Sequence, residues 1–182
     1  MTTDYKSLSN QNSRAGYVTL IGAPNAGKST LINSVVGAKV SIVTPKVQTT
    51  RTRIKGIAMV GKSQIIFVDT PGIFVPKRRL DRAMIHAAWQ GTDNADVTLL
   101  IHDSARASVG IDTDIIIKQL QKIKRNAPNK IFALILNKID LIQPETLLER
   151  TAEFEKKLEF EKTFMISAEK GRGVAVLVHW VG

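Results

Sequence analysis

Cysteine is absent from the 182 residues of this chain. That excludes a disulfide scaffold, a thiolate zinc site and a cysteine nucleophile, and it fits a reducing cytoplasm. Aromatic residues make up only 5% of the sequence, so the interleaved aromatics that stack on nucleic-acid bases are missing. No apolar run approaches the roughly 18 residues that a membrane-crossing helix needs. Three scattered histidines offer no metal-ligand spacing. Acidic residues are also few. Asp and Glu number 16 against 26 Lys and Arg, which leaves a net charge of +10. Such a balance points to a polyanionic partner: a nucleotide, a nucleic acid or an anionic membrane surface.

The rest of the composition is that of a folded protein, with 43% hydrophobic and 23% charged residues. The length suits one domain, which buries about 70% of its unfolded surface. Residues 1–15 are polar and lack an apolar centre, so they are expected to form a disordered leader and not a secretory signal. The domain is expected over 16–182.

Along that domain short apolar runs alternate with amphipathic stretches. Tyr17–Ile21, Val97–Ile101, Ile131–Leu136 and the weaker Thr163–Ile166 read as strands. Ile54–Val60 and Gln64–Val68, joined by Gly61-Lys62, read as a hairpin. Helices are expected over Ser29–Val36, near 80–92, over 113–125 with Asp112 or Thr113 as its cap, and over 144–158 with Pro144 near its start. Together these predict an α/β fold with a six-stranded, mostly parallel sheet, one antiparallel edge strand, and helices on both faces. Val174–Val181 is apolar nearly all round. Either something buries that final helix or the chain is cut short of a further domain.

The strongest chemical signal lies between the first strand and the first helix. Gly22-Ala23-Pro24-Asn25-Ala26-Gly27-Lys28-Ser29 fits G-x-x-x-x-G-K-[ST], and Thr30 follows it. Glycines permit the turn, successive N–H groups converge on a β-phosphate, and the helix N-terminus adds positive potential. Lys28 adds charge toward the β- and γ-phosphates, and the Ser29 hydroxyl suits Mg²⁺. A chance glycine-rich turn would lack this strand–turn–helix setting. The fold is therefore expected to be that of a P-loop NTPase.

Two further motifs follow in order. Asp69-Thr70-Pro71-Gly72 sits at a strand end, where Asp69 can hold Mg²⁺ through water and the Gly72 N–H can meet a γ-phosphate. Asn137-Lys138-Ile139-Asp140 ends another strand. A carboxylate there can accept both donors of guanine's ring N–H and amine edge, which adenine lacks.

These blocks resemble the Ras-like GTPase superfamily. Gly22-x-Pro24-Asn25-x-Gly27-Lys28-Ser29, Lys46-Val47-Gln48-Thr49-Thr50-Arg51-Thr52-Arg53 and Asp69-Thr70-Pro71-Gly72-Ile73 resemble its Era-like bacterial group over about residues 16–180. The resemblance implies a fifth motif at Ser167-Ala168-Glu169-Lys170-Gly171, whose N–H groups contact the guanine O6. It implies that a threonine of the second block ligates Mg²⁺; Thr49 and Thr50 both qualify, and Thr50 is favoured. Ile73 stands where Ras carries a water-positioning glutamine, and the Era-like group shares that change. Asn25 matches the residue that helps hold K⁺ in related K⁺-dependent GTPases. With no arginine finger in cis, turnover is expected on the order of 10⁻⁴–10⁻² s⁻¹.

The resemblance also implies a switch that cycles between GTP and GDP while acting on small-subunit ribosomal RNA and assembling the small ribosomal subunit. In the family a following KH domain carries much of the RNA reading, and no KH pattern occurs in this sequence. The expected protein is a cytoplasmic monomer with peripheral association to the inner face of the cell membrane. Basic residues support a polyanion site: Lys77-Arg78-Arg79 and Arg82 follow the third motif, and residues 115–139 hold Lys118, Lys122, Lys124, Arg125, Lys130 and Lys138 with no acid. Solvated helix faces are the plainer explanation of the same charges. His86, Trp89 and His102 read as packing residues, and Asp112 and Asp114 as helix-start residues. The rival functions are an ATP-using P-loop kinase, a nucleotide-binding module without hydrolysis, and a general nucleic-acid binder.

Overall fold

The apolar runs pair into one sheet in a computed structural model, which describes residues 14–37, 48–49, 52–68, 70, 72–75, 85, 89 and 92–182. In chain order the elements are β1 (Arg14–Ile21), α1 (Lys28–Gly37), β2 (Gln48–Thr49), β3 (Thr52–Val60), β4 (Ser63–Val68), β5 (Val97–Asp103), α2 (Gly110–Asn126), β6 (Ile131–Asn137), α3 (Pro144–Glu155), β7 (Lys162–Met165) and α4 (Val174–Val181). A 3-10 turn, Ile139–Leu141, follows β6.

The strand order is β2-β3-β4-β1-β5-β6-β7. Neighbours from β4 to β7 run parallel, while β3 is antiparallel to β4. The expected six strands are therefore present with one of them reversed. The two-residue β2 extends the sheet past β3, so the hairpin strand is not the outermost one.

Side chains alternate across the sheet, and both faces are covered. Leu20, Leu99 and Ile135 enter one core cluster with Leu31, Ile32 and Val35 of α1 and Leu177 of α4. Ile21, Leu100 and Leu134 enter the other with Ile116 and Leu120 of α2 and Phe154 of α3. Burial on two sides explains why these strands read as unbroken apolar runs.

Several boundaries differ from expectation. β1 begins at Arg14, inside the stretch assigned to a leader, because β4 offers ladder partners: Arg14 pairs with Ser63 and Ala15 with Gln64. Residues 1–13 lie outside the described residues. α2 begins at Gly110, before Asp112 and Thr113, and has no side-chain cap. Gly110, at φ 76°, turns the chain into the helix instead. α3 stops at Glu155, short of the expected 158. Of the helix expected near 80–92, Ile85, Trp89 and Thr92 are described and helical, while His86 lies outside. The all-round apolar α4 does have a buried face. Val174 and Leu177 are enclosed, Trp180 packs against Phe164 at 5.4 Å between ring centroids, and Val176 remains 65% exposed. Among the described residues no helix is long and apolar enough to cross a membrane.

Candidate functional site

The motifs meet at the carboxyl ends of the parallel strands, where open α/β sheets bind ligands. β1 delivers the chain into the Gly22–Lys28 turn, and α1 leaves it. Gly22 is required by close approach, because a Cβ there would lie 2.4 Å from the Ile101 carbonyl oxygen. Asn25 adopts the left-handed region at φ 62°, and Gly27 sits at φ 102°. The Lys28 ammonium donates to the Gly22 and Ala23 carbonyls at 2.9 and 2.8 Å, lying along the turn it must serve. Ala23 and Ala26 are buried, Pro24 is half-buried, and Asn25, Ser29 and Thr30 are exposed. Thus the polar members of the loop face outward while its alanines anchor it.

The third motif folds against this loop. The Thr70 hydroxyl donates to the Leu20 carbonyl inside the protein, so its role is to tie the segment to β1. The Ile73 N–H donates to the Gly22 carbonyl at 3.1 Å, and its side chain is fully enclosed in the core. An Ile73 side chain placed there cannot orient a water. A Cβ on Gly72 would lie 3.4 Å from the Lys28 Nζ, so this glycine lets the two motifs approach. Asp69, Pro71 and Thr50 lie outside the described residues. The backbone of Thr49 lies in β2, paired with Thr52.

Asn137 joins the fourth and fifth motifs to the loop. Its Nδ2 donates to the Ala26 carbonyl at 2.9 Å, and its Oδ1 accepts the Ala168 N–H at 3.0 Å. It is 2% exposed, so its side chain braces the site from behind. Lys138, at φ 65°, turns the chain outward, and its ammonium pairs with Asp103 at 2.6 Å. Asp140 is exposed and accepts a hydrogen bond from the buried Ser167 hydroxyl, which holds its carboxyl below the usual carboxylate range. The nearby Lys170 and Arg172 charges act in the same direction. Ser167 also accepts the Lys170 N–H at 3.2 Å, which fixes its hydroxyl. Glu169 is exposed.

Three residues near the site belong to none of the motifs. Asp103 is the partner of Lys138. It stands in register with Asn137 on the neighbouring strand, so the parallel β5–β6 pairing would have placed it. Arg106 donates to the Pro24 carbonyl at 3.3 Å. Arg150, only 8% exposed, donates to the carbonyls of Arg106 and Ala107 at 3.0 and 3.1 Å.

His102 lies behind these groups. Burial, then the Arg150 charge, lowers its pKa from 6.5 to about 4. Its ring meets Phe154 edge-on at 4.9 Å, which fits a packing residue. A native pKa below the unfolded value means that unfolding takes up a proton. Stability from this group is complete above about pH 6.5 and declines toward pH 4, by roughly 3 kcal/mol in all. Urea unfolding across that window should show a flatter pH dependence for His102→Leu than for the parent. Equal slopes would count against this assignment.

Part of the basic run is structural. Lys130 donates to the carbonyls of Thr92, Asp93 and Ala95, and Lys124 donates to the Lys130 carbonyl at 3.0 Å and lies over the Phe132 ring. Lys118, Lys122 and Arg125 remain exposed along α2. Asp114 pairs with Lys157 at 2.6 Å. Residues 77–79 and 82 lie outside the described residues.

The loop, Gly72 and the Asp140 environment are thus joined through Asn137, Ser167 and the close glycine approaches. Residues 17–138 match the protein family described as "50S ribosome-binding GTPase". The chain belongs to this GTPase family, in its Era-like group. It is 55% identical over 170 residues to GTPase Era of Dinoroseobacter shibae, covering 93% of this chain and 54% of that protein. It is 50% identical over 179 residues to GTPase Era of Mesorhizobium japonicum, covering 98% and 56%. The chain thus spans about half the length of the curated relatives it matches. Among solved structures, it superposes with a TM-score of 0.72 and 38% identity on Era in complex with MgGDPNP and nucleotides 1506–1542 of 16S ribosomal RNA, covering 93% of this chain and 56% of that one. An Aquifex aeolicus Era bound to GDP and AlF4⁻ gives a TM-score of 0.68 at 37% identity, covering 92% and 56%. These neighbours share the α/β sheet and helices described above.

Proposed function

We propose that the chain binds GTP and GDP with Mg²⁺ and hydrolyses GTP slowly, as a molecular switch. The observation that carries this reading is the Asn137 bridge. It couples the phosphate loop through Ala26 to the base-reading loop through Ala168, with the ionised Asp140 held by Ser167 beside it. In this reading residues Gly22 to Thr30 grip the phosphates, with Lys28 supplying charge. Ser29, Thr50 and Asp69 hold Mg²⁺, which supplies charge neutralisation between phosphates when bound. Asn137, Lys138, Asp140, Ser167, Ala168 and Glu169 enclose guanine, while Thr70, Pro71 and Gly72 carry the segment that follows the γ-phosphate.

The residues present fit such a group. Gly22, Gly27 and Gly72 let the loop pack closely on Ile101, Asn137, Pro24 and Lys28, where a Cβ would collide or crowd. Asn25, exposed and left-handed at the loop tip, is the residue we assign to a K⁺ ion. It supports turnover together with Lys28, Thr50 and Gly72. Residues 16–182 act as one nucleotide-binding unit.

The 16S RNA complex of the Era neighbour supports a small-subunit ribosomal RNA partner and a role in small-subunit assembly. The charge of +10 supports both that partner and peripheral contact with the inner membrane face of a cytoplasmic monomer.

The test is nucleotide extraction from the purified chain, followed by single-turnover hydrolysis of GTP and of ATP. Guanine nucleotide should be extracted, and GTP should turn over on the order of 10⁻⁴–10⁻² s⁻¹ in Mg²⁺ and K⁺. Lys28→Ala should abolish that turnover, and Na⁺ in place of K⁺ at fixed ionic strength should slow it. ATP used equally well would favour the kinase reading. Tight GTP binding without turnover would favour a binding module, the outcome that the buried Ile73 side chain makes worth excluding.

A further inference from the structure

We infer that Arg106 is a positioning residue that pins the tip of the phosphate loop, and that Arg150 holds Arg106 in place. The inference rests on the reading that residues 22–30 take the phosphates. The segment between β5 and α2 is tied down on every side. Its Ser104 N–H donates to the Asn137 carbonyl at 3.0 Å, and its Ala105 N–H to the Asp103 carboxylate at 3.1 Å. Arg150 reaches across from α3 and grips the next two carbonyls with one guanidinium nitrogen, while its other terminal nitrogen pairs with Glu153 at 2.9 Å. A braced segment of this kind carries Arg106 toward the loop, where the guanidinium donates to the Pro24 carbonyl.

That carbonyl belongs to the peptide joining Pro24 to Asn25. In a trans peptide the C=O and N–H point in opposite directions. Holding the Pro24 oxygen toward Arg106 therefore turns the Asn25 N–H away from Arg106. The next residue, Asn25, adopts a left-handed conformation that non-glycine residues rarely hold unaided. Rotation of this peptide plane would let Asn25 relax, and the Arg106 bond opposes that rotation. Beyond the tip, by contrast, Asn137 holds the Ala26 carbonyl and the Lys28 ammonium holds the Gly22 and Ala23 carbonyls, so these groups have anchors other than Arg106. Arg106 thus acts on the Pro24–Asn25 tip, while Asn137 and Lys28 secure the rest of the loop.

The test compares the parent chain with Arg106→Ala and Arg106→Lys in single-turnover GTP hydrolysis and in GDP binding. Loss of one hydrogen bond should slow Arg106→Ala about three- to tenfold. GDP affinity should change by less than about twofold, because the Ala26 carbonyl and Lys28 keep their own anchors when Arg106 is removed. Lysine keeps a charged donor and should restore most of the rate. Parent-like turnover in Arg106→Ala, or equal losses of rate and GDP affinity, would overturn the inference. Amide exchange at Asn25 and Ala26 without nucleotide gives a separate readout, which stands even if the parent chain hydrolyses nothing. Faster exchange in Arg106→Ala supports the pin, and unchanged exchange overturns it.

Discussion

Asp140→Asn should exchange the base preference of the site from guanine to xanthine. The Asp140 carboxylate is stabilised by the Ser167 hydroxyl and by the Lys170 and Arg172 charges, so it is ionised at neutral pH and can only accept hydrogen bonds. The guanine edge supplies two donors to such a group. An asparagine presents an NH₂ where one of those donors arrives, leaving two donors facing each other. A xanthine carbonyl at the same position accepts from that NH₂, and Ser167 can still donate to the remaining amide oxygen. GTP affinity should fall by about 10⁴-fold, and the affinity for the xanthine nucleotide should rise to near the parent's for GTP. Competition of GTP, XTP and ATP against a labelled GDP reads both changes. Unaltered GTP selectivity would place base recognition elsewhere.

The fold was readable where one physical cause dominates. Leu99 to Ile101 and Leu134 to Leu136 are buried on both sheet faces, so they appear as continuous apolar runs and could be assigned without contacts. Pro144 heads α3 as expected because its ring suits a first helical turn. Assignments that depend on a remote partner were less legible. Arg14 and Ala15 look like leader until β4 lies beside them. Asp112, expected as a possible cap, instead accepts the Val75 N–H at 2.9 Å, a contact from another part of the chain.

The site shows the same division. Glycine spacing announced the tight Gly22–Lys28 turn because the constraint is local. The sequence placed Asn137 and Thr70 in the nucleotide set, yet their side chains are directed to protein atoms. Asn137 and Ala26 stand 111 residues apart in sequence. Short motifs record which residue types are needed but do not distinguish a residue that touches the ligand from one that braces its neighbours. Arg106 and Arg150 carry no motif at all, and only the folding of the segment after β5 against both α3 and the Pro24 carbonyl gives them a role.

Gly27→Ala and Asn137→Ala should each be severe alone and partly compensate together. Gly27 has φ 102°, and a Cβ there would lie 2.1 Å from the Asn137 Nδ2, which is an overlap. The alanine therefore meets backbone strain of about 1–2 kcal/mol and overpacking of about 1–3 kcal/mol. Asn137→Ala creates the opposite fault. It removes the donor to the Ala26 carbonyl and the acceptor for the Ala168 N–H, and each buried group left unpaired costs about 1–3 kcal/mol. In the double variant the new methyl enters the space vacated by the amide, so the overlap disappears while the strain and the unpaired groups persist. Its loss of stability should fall short of the sum of the single losses by about 1–3 kcal/mol. Urea unfolding of the four proteins measures that difference, and GDP affinity should follow the same order. Agreement with the sum within about 0.5 kcal/mol would mean that these two residues do not touch in solution. The brace between the Gly22–Lys28 turn and the segment at Ala168 would then have to be sought in other contacts.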